Sequence, residues 1–154
     1  MKEHGQLLIS PTNLEVYMLK IINSDIELEI TPIEKVINTP EPNFYHEWLN
    51  MYVEFKSKGL TYQANWGCYS SELNELKQSL LALKNNTSHS EIKFSPNEGM
   101  ITLLFHKHKN GSTYYLKYKF YTEIRSSTFI EGETTLGELN IDELLIGLNW
   151  LTQF

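Results

Sequence analysis

The stretch Leu49-Asn-Met-Tyr-Val-Glu-Phe55-Lys-Ser-Lys-Gly59-Leu-Thr-Tyr62-Gln-Ala-Asn-Trp66-Gly-Cys68 reads as one β-hairpin turning at Lys58-Gly59. With a two-residue turn there, Phe55 meets Tyr62, Val53 meets Ala64, Met51 meets Trp66 and Leu49 meets Cys68. Every pair on that face is apolar, and a slip of one residue would turn the whole set toward water, so the register is strongly specified. Gly67 interrupts the second strand and marks an expected bulge.

Downstream, Met100 to Lys109 pairs with Ser112 to Glu123 across Asn110-Gly111, a dipeptide that tolerates positive φ at both residues. This register places Phe105 with Leu116, Leu103 with Tyr118 and Ile101 with Phe120. Glu91 to Phe94 is a short strand turning at Ser95-Pro-Asn-Glu98, and Ser127 to Thr135 is one more strand whose register stays open. Upstream, Tyr17, Leu19 and Ile21 alternate with more polar neighbours, as Ile26, Leu28 and Ile30 do with Glu27, Glu29 and Thr31. A tight turn at Asn23-Ser24 sets Ile21 opposite Ile26 and Leu19 opposite Leu28. Pro40 and Pro42 break the strand pattern, so 38–43 reads as a loop within one domain spanning 1–154.

Two helices complete the pattern. Ser70-Ser71-Glu72 supplies an N-cap with an acid in the first turn, and Leu73, Leu76, Leu80 and Leu83 follow at helical spacing, giving a helix over about 71–84. Asn140-Ile-Asp-Glu143 fits a capping box, and Ile141, Leu144, Leu145, Leu148 and Leu151 form the stripe of a last helix over about 141–152. The expected fold is α+β: a largely antiparallel sheet of about seven or eight strands, in hairpins and a meander, with two helices packed on it.

Composition narrows the function classes. The 154 residues are 41% hydrophobic and 21% charged, the balance of a folded chain. No apolar run approaches the roughly 20 residues that span a bilayer, and the start of the chain is too short of apolar residues for a secretory signal. A single cysteine, Cys68, excludes an internal disulfide, so a cytoplasmic location is expected. The formal charge is −6, with six basic and three acidic residues in 91–125, but five acids and no base after Arg125. That layout argues against phosphate-backbone binding as the main task and favours a basic partner.

Few residues carry chemistry. His106 and His108 alternate on a strand and offer two imidazoles to a metal, yet Lys117 and Lys119 lie near and no acidic third ligand does, so the plainer reading is two surface histidines. Cys68 faces inward beside Leu49, as a packing residue. No Gly-x-Ser-x-Gly elbow, His-Glu-x-x-His or phosphate-binding glycine loop occurs, so no enzyme, catalytic residue or cofactor is implied. Trp48 and Tyr52 fall on the face opposite Leu49, Met51, Val53 and Phe55, where they are either candidates for aromatic contact with a partner or core beneath a covering helix. Glu131 and Glu133 share one strand face, an acidic pair whose plainer role is solvation.

The order of elements also carries a resemblance. Trp48-Leu-x-Met-x-Val-Glu-Phe55, Tyr62-Gln-Ala-Asn-Trp66, Glu72-Leu-x-x-Leu-Lys-x-x-Leu80, Ile101-Thr-Leu-x-Phe105, Tyr115-Leu-x-Tyr118 and Asp142-Glu-Leu-Leu-Ile-Gly-Leu-Asn-Trp-Leu151 resemble the WapI family of bacterial immunity proteins over roughly 17–151. The resemblance implies a non-enzymatic protein that binds and neutralises a cognate toxin domain, and it carries over no contact residue. A basic nuclease toxin would suit an acidic face of Glu131, Glu133, Asp142 and Glu143, extended by Glu27 and Glu29. This reading involves no direct nucleic acid and no membrane, and leaves the oligomeric state open. The alternatives are a small-molecule or sugar-binding β module using Trp48, Tyr52 and Trp66, or a structural subunit of a larger assembly.

Overall fold

The computed structural model describes residues 18–37, 47–85 and 91–154. The expected loop at 38–43, the start of the chain through Tyr17 and the polar 86–90 stretch lie outside them. In chain order the elements are β1 (Leu19–Ile22), β2 (Ile26–Ile37), β3 (Glu47–Ser57), β4 (Leu60–Tyr69), α1 (Ser70–Asn85), β5 (Glu91–Phe94), β6 (Ile101–Lys107), β7 (Thr113–Tyr121), β8 (Phe129–Gly137) and α2 (Glu138–Gln153). The α+β class holds, and the eight strands divide into two antiparallel four-stranded sheets, β1-β2-β3-β4 and β5-β6-β7-β8, each in sequential order. α1 separates them in sequence. No helix of the described residues is long and apolar enough to cross a membrane.

Both decisive hairpins have the expected pairing, from Trp48 opposite Tyr69 to Ser57 opposite Leu60, and from Ile101 opposite Phe120 to Lys107 opposite Tyr114. The Asn110-Gly111 connection reaches that register by another route. Only Gly111 has positive φ (80°); Asn110 instead accepts the Ser112 and Thr113 N–H groups on its Oδ1 at 3.0 and 3.1 Å. The β1–β2 pairing is two residues away from the expected one, with Ile21 opposite Leu28 and Leu19 opposite Ile30. Asn23 explains the shift: its Oδ1 accepts the Asp25 and Ile26 N–H groups at 2.8 and 2.9 Å, which lengthens the turn. Because the displacement is even, the same side chains stay buried. In β2 the register breaks between Pro32 and Glu34, where proline removes a ladder donor.

The inner faces of the sheets meet through aromatic rings. Phe55 lies 4.8 Å from Tyr118 and 4.9 Å from Phe120, while Tyr62 stacks on Phe120 at 5.2 Å and its hydroxyl donates to the Tyr121 carbonyl at 2.6 Å. α1 buries Leu73, Leu76, Leu80 and Leu83, and α2 buries Ile141, Leu144, Leu148 and Leu151, so the helices share the core the sheets enclose. Glu72 Oε2 accepts the Tyr69 N–H at 2.8 Å at the start of α1. Lys107 donates to the Leu83 and Lys84 carbonyls at 3.0 and 2.8 Å at its end, satisfying acceptors the helix leaves open. α2 begins three residues earlier than expected, with Asn140 at its third position accepting the Gly137 N–H at 3.0 Å. Midway along, Gly147 lets α2 lie against β1: a Cβ there would stand 2.7 Å from the Leu19 Cα.

Candidate functional site

Each sheet turns one face inward and one outward, and neither outer face is covered by a helix among the described residues. That of the first sheet is largely closed on itself. The Trp48 indole lies across Gly67, where a Cβ would come within 2.5 Å of its Nε1, and it meets Tyr69 edge-on at 5.0 Å. This contact accounts for Gly67; the β3–β4 register runs through it unbroken, so the expected bulge is absent. Trp48 Nε1 donates to Asn50 at 2.8 Å, Asn50 donates to Glu34 at 3.2 Å, and Gln63 donates to Glu54 at 2.8 Å. Trp48, which belongs to this network, and Tyr52 are both half-buried. Trp66 is buried at 4% exposure against Phe94, which removes it from any surface site.

The outer face of the second sheet is built differently. β7 alternates Tyr115, Lys117, Lys119 and Tyr121 along it, with Lys93 and Glu91 on β5, Thr102, Leu104 and His106 on β6, and Phe129, Glu131 and Glu133 on β8. A groove of about 720 Å3 runs between Lys93, Leu104, Lys117, Lys119, Glu131 and Glu133. A second hollow of about 320 Å3 continues it past Leu104 and Lys117 to His106 and Tyr115. Among the described residues, neither Lys93 nor Lys117 has a hydrogen-bond or ion-pair partner. Lys119 sits 4.1 Å from the centre of the Phe129 ring and 5.1 Å from that of Tyr121, a cation–π arrangement that holds both rings on this face. Tyr115 (37%) and Phe129 (41%) are exposed, so aromatic surface stands open beside the ammonium groups. A glycine serves here too: inside the sheet, Tyr118 covers Gly132 with its hydroxyl 2.4 Å from where a Cβ would be.

The expected acidic face does not assemble. Glu131 and Glu133 stand opposite Lys119 and Lys117 in the β7–β8 register. Asp142 is ion-paired with Lys84 of α1, raising the lysine's pKa mainly through that hydrogen bond, while Glu143 is exposed on α2. Glu27 and Glu29 lie on the outer face of the first sheet, opposite Lys56 and Glu54. The six carboxylates are therefore spread over two outward faces and a helix. His106 and His108 are set around Tyr115, at 6.0 and 5.7 Å between ring centres, and His108 Nδ1 accepts the Asn110 N–H at 3.2 Å. No three His, Cys, Asp or Glu side chains among the described residues gather in a metal-binding group. Cys68 is fully buried opposite Leu49, and burial pushes its thiol pKa well up, with Glu72 and Glu98 adding to the effect. The lysine and aromatic residues of the second face were within reach of the sequence, since Tyr115, Lys117, Lys119 and Tyr121 recur at every second position.

No protein-family model and no curated protein matches the chain, so the resemblance to the WapI family gains nothing from those comparisons. Solved structures do match. The plant transcriptional regulator PBF-2 is similar with 9% identity and a TM-score of 0.49, over 89% of this chain and 80% of that one. WHY1 from Arabidopsis thaliana is similar with 11% identity and the same TM-score, over 89% and 83%. These findings run against the expected immunity function, its toxin partner and the exclusion of nucleic acid, and those expectations are withdrawn.

Proposed function

We propose that the chain is a non-enzymatic protein that binds a single nucleic-acid strand across the outer face of the second sheet. The observation that carries this reading is that Lys93, Lys117 and Lys119, which line one open groove, share their sheet face with the exposed rings of Tyr115 and Phe129 and the half-buried ring of Tyr121. Ammonium groups at that spacing neutralise phosphates, and exposed rings beside them stack on unpaired bases whatever the sequence. A sheet face of this kind suits a single strand, because the bases of a duplex are already stacked on one another. His106 and Tyr115 extend the stacking surface along β6 and β7. A cytoplasmic location accords with this ligand.

Charge limits the strength of such binding. Glu91, Glu131 and Glu133 share the face with the three lysines, and the whole chain carries −6. Attraction is therefore local, and affinity depends on short-range phosphate contacts and stacking. Three lysine contacts give a slope of log affinity against log salt of about −2, a loss of about twentyfold between roughly 50 and 200 mM salt. Fluorescence anisotropy with a labelled pyrimidine oligonucleotide, single-stranded and as a duplex, tests the reading. Salt-sensitive binding of the single strand, lost in K117A/K119A, is expected; no binding of the single strand at low salt would overturn it.

A further inference from the structure

At the end of the second sheet where β6 begins and β7 stops, the β5–β6 and β7–β8 connections together line a hollow of about 620 Å3. Ser95, Asn97, Thr102, Tyr121, Arg125 and Ser126 contribute to it, and Thr102 also borders the lysine groove, so the two spaces adjoin. Arg125 is the single arginine among 13 basic residues of the chain. It is also the only non-glycine residue with positive φ (62°) among the described residues. Holding a side-chain-bearing residue in that region costs about 1 kcal/mol or more, a strain that glycine would not carry.

The loop around Arg125 is well tied. The Ser126 N–H donates to the Glu123 carbonyl at 3.1 Å, the Thr128 N–H donates to Ser126 Oγ at 2.9 Å, and the Thr122 and Ser126 hydroxyls are 3.0 Å apart. These bonds fix the backbone while the guanidinium itself has no hydrogen-bond or ion-pair partner among the described residues. Glu98, the acid of this hollow, is engaged elsewhere, its Oε1 accepting the Gly67 N–H at 3.1 Å. What remains is a forked cation beside the Ser95 and Thr102 hydroxyls, a donor set that matches phosphate oxygens in pairs.

We propose that this hollow takes the terminal phosphate of the strand lying in the adjacent groove, with Arg125 as its bidentate partner. The inference rests on the single-strand reading above. A phosphate monoester carries nearly twice the charge of an internal diester, so a lone arginine at the end of the groove selects strand ends over strand interiors.

The test compares short oligothymidylates bearing a 5′-phosphate, a 3′-phosphate or neither, using wild type, R125G and R125K. Glycine suits the positive φ, so R125G keeps the fold, which a thermal melt verifies. The wild type is expected to bind one of the phosphorylated forms roughly tenfold more tightly than the unphosphorylated one, as charge-assisted hydrogen bonds to phosphate allow. R125G is expected to erase that preference while binding the unphosphorylated strand unchanged, and R125K to keep only part of it. Equal binding of all three by the wild type, or a preference that survives in R125G, overturns the end-phosphate site and leaves the groove standing. Failure of every oligonucleotide to bind overturns both.

Discussion

Between the two outer sheet faces the difference lies in where their polar groups go, more than in composition. On the first, Trp48, Asn50, Glu34, Gln63 and Glu54 bond to one another, and the indole is pressed onto the backbone at Gly67. On the second, Lys93 and Lys117 have no hydrogen-bond or ion-pair partner among the described residues and stand beside exposed rings. A face whose donors and rings are spent on itself contributes to stability; one whose donors are free has interaction energy left for a ligand. Aromatic residues on a sheet surface thus mean different things according to what lies under them and beside them.

Substitutions on the two faces should separate these roles. Replacing Tyr115 and Phe129 together with alanine removes stacking worth about 1–3 kcal/mol per base, so single-strand affinity should fall about thirtyfold or more. The midpoint of urea unfolding should fall far less than on truncating a core ring such as Phe105, since both rings are exposed and Phe105 is fully buried. G67A should do the reverse. Its new Cβ would stand 2.5 Å from Trp48 Nε1, displacing the indole and its bond to Asn50. Overpacking of this kind costs about 1–3 kcal/mol, seen in a urea or thermal melt, with oligonucleotide affinity unchanged. A G67A protein that melts like wild type would mean that the first face is not self-supporting.

A smaller effect sharpens the charge balance of the second face. E131Q/E133Q removes two acids beside Lys119 and Lys117. Each repels a phosphate at roughly 8 Å by about 0.5 kcal/mol in water, so the pair should tighten binding about fivefold at low salt. Weaker binding by this variant would place the ligand's positive groups, rather than its phosphates, against this face.

The last effect lies in the core and is silent at neutral pH. Burial, then the charge of Glu138, pushes the Tyr114 pKa up to about 12, and its hydroxyl donates to Glu138 at 3.3 Å. Because the folded value exceeds the unfolded one of about 10, this contribution is complete below pH 10 and is lost as pH rises toward 12. Y114F should therefore lose less stability between those pH values than wild type does, as followed by circular dichroism. Tyr62 and Tyr118, also raised chiefly by burial, keep the remaining slope in the same direction.

The contrast between faces also explains what the sequence could and could not reveal. β3–β4 and β6–β7 were legible because binary patterning along strands of seven or more residues leaves one register that buries both partners. The β1–β2 register was not, because Asn23 serves a tertiary role as well as a local one: its Nδ2 donates to Thr134 and to the Thr135 carbonyl, more than a hundred residues away. Which strands share a sheet was equally hidden. The spread of Glu27, Glu29, Glu131 and Glu133 over two outward faces follows from that partition, and alternation along single strands carries no trace of it. The lysine and aromatic alternation of β7 lies in the basic 91–125 stretch of the sequence, but its position over an open groove is a property of the assembled sheet.

The account stands or falls on which face meets the strand. Titrating 15N-labelled protein with a short single-stranded oligothymidylate, and following the amide shifts, addresses this residue by residue. The account predicts that the shifts concentrate at Lys93, Thr102 to His106, Tyr115 to Tyr121 and Phe129 to Glu133, while Glu27 to Thr31 and Trp48 to Glu54 stay in place. Shifts centred on Trp48, Tyr52 and Gln63, with those of the second sheet unmoved, would contradict it.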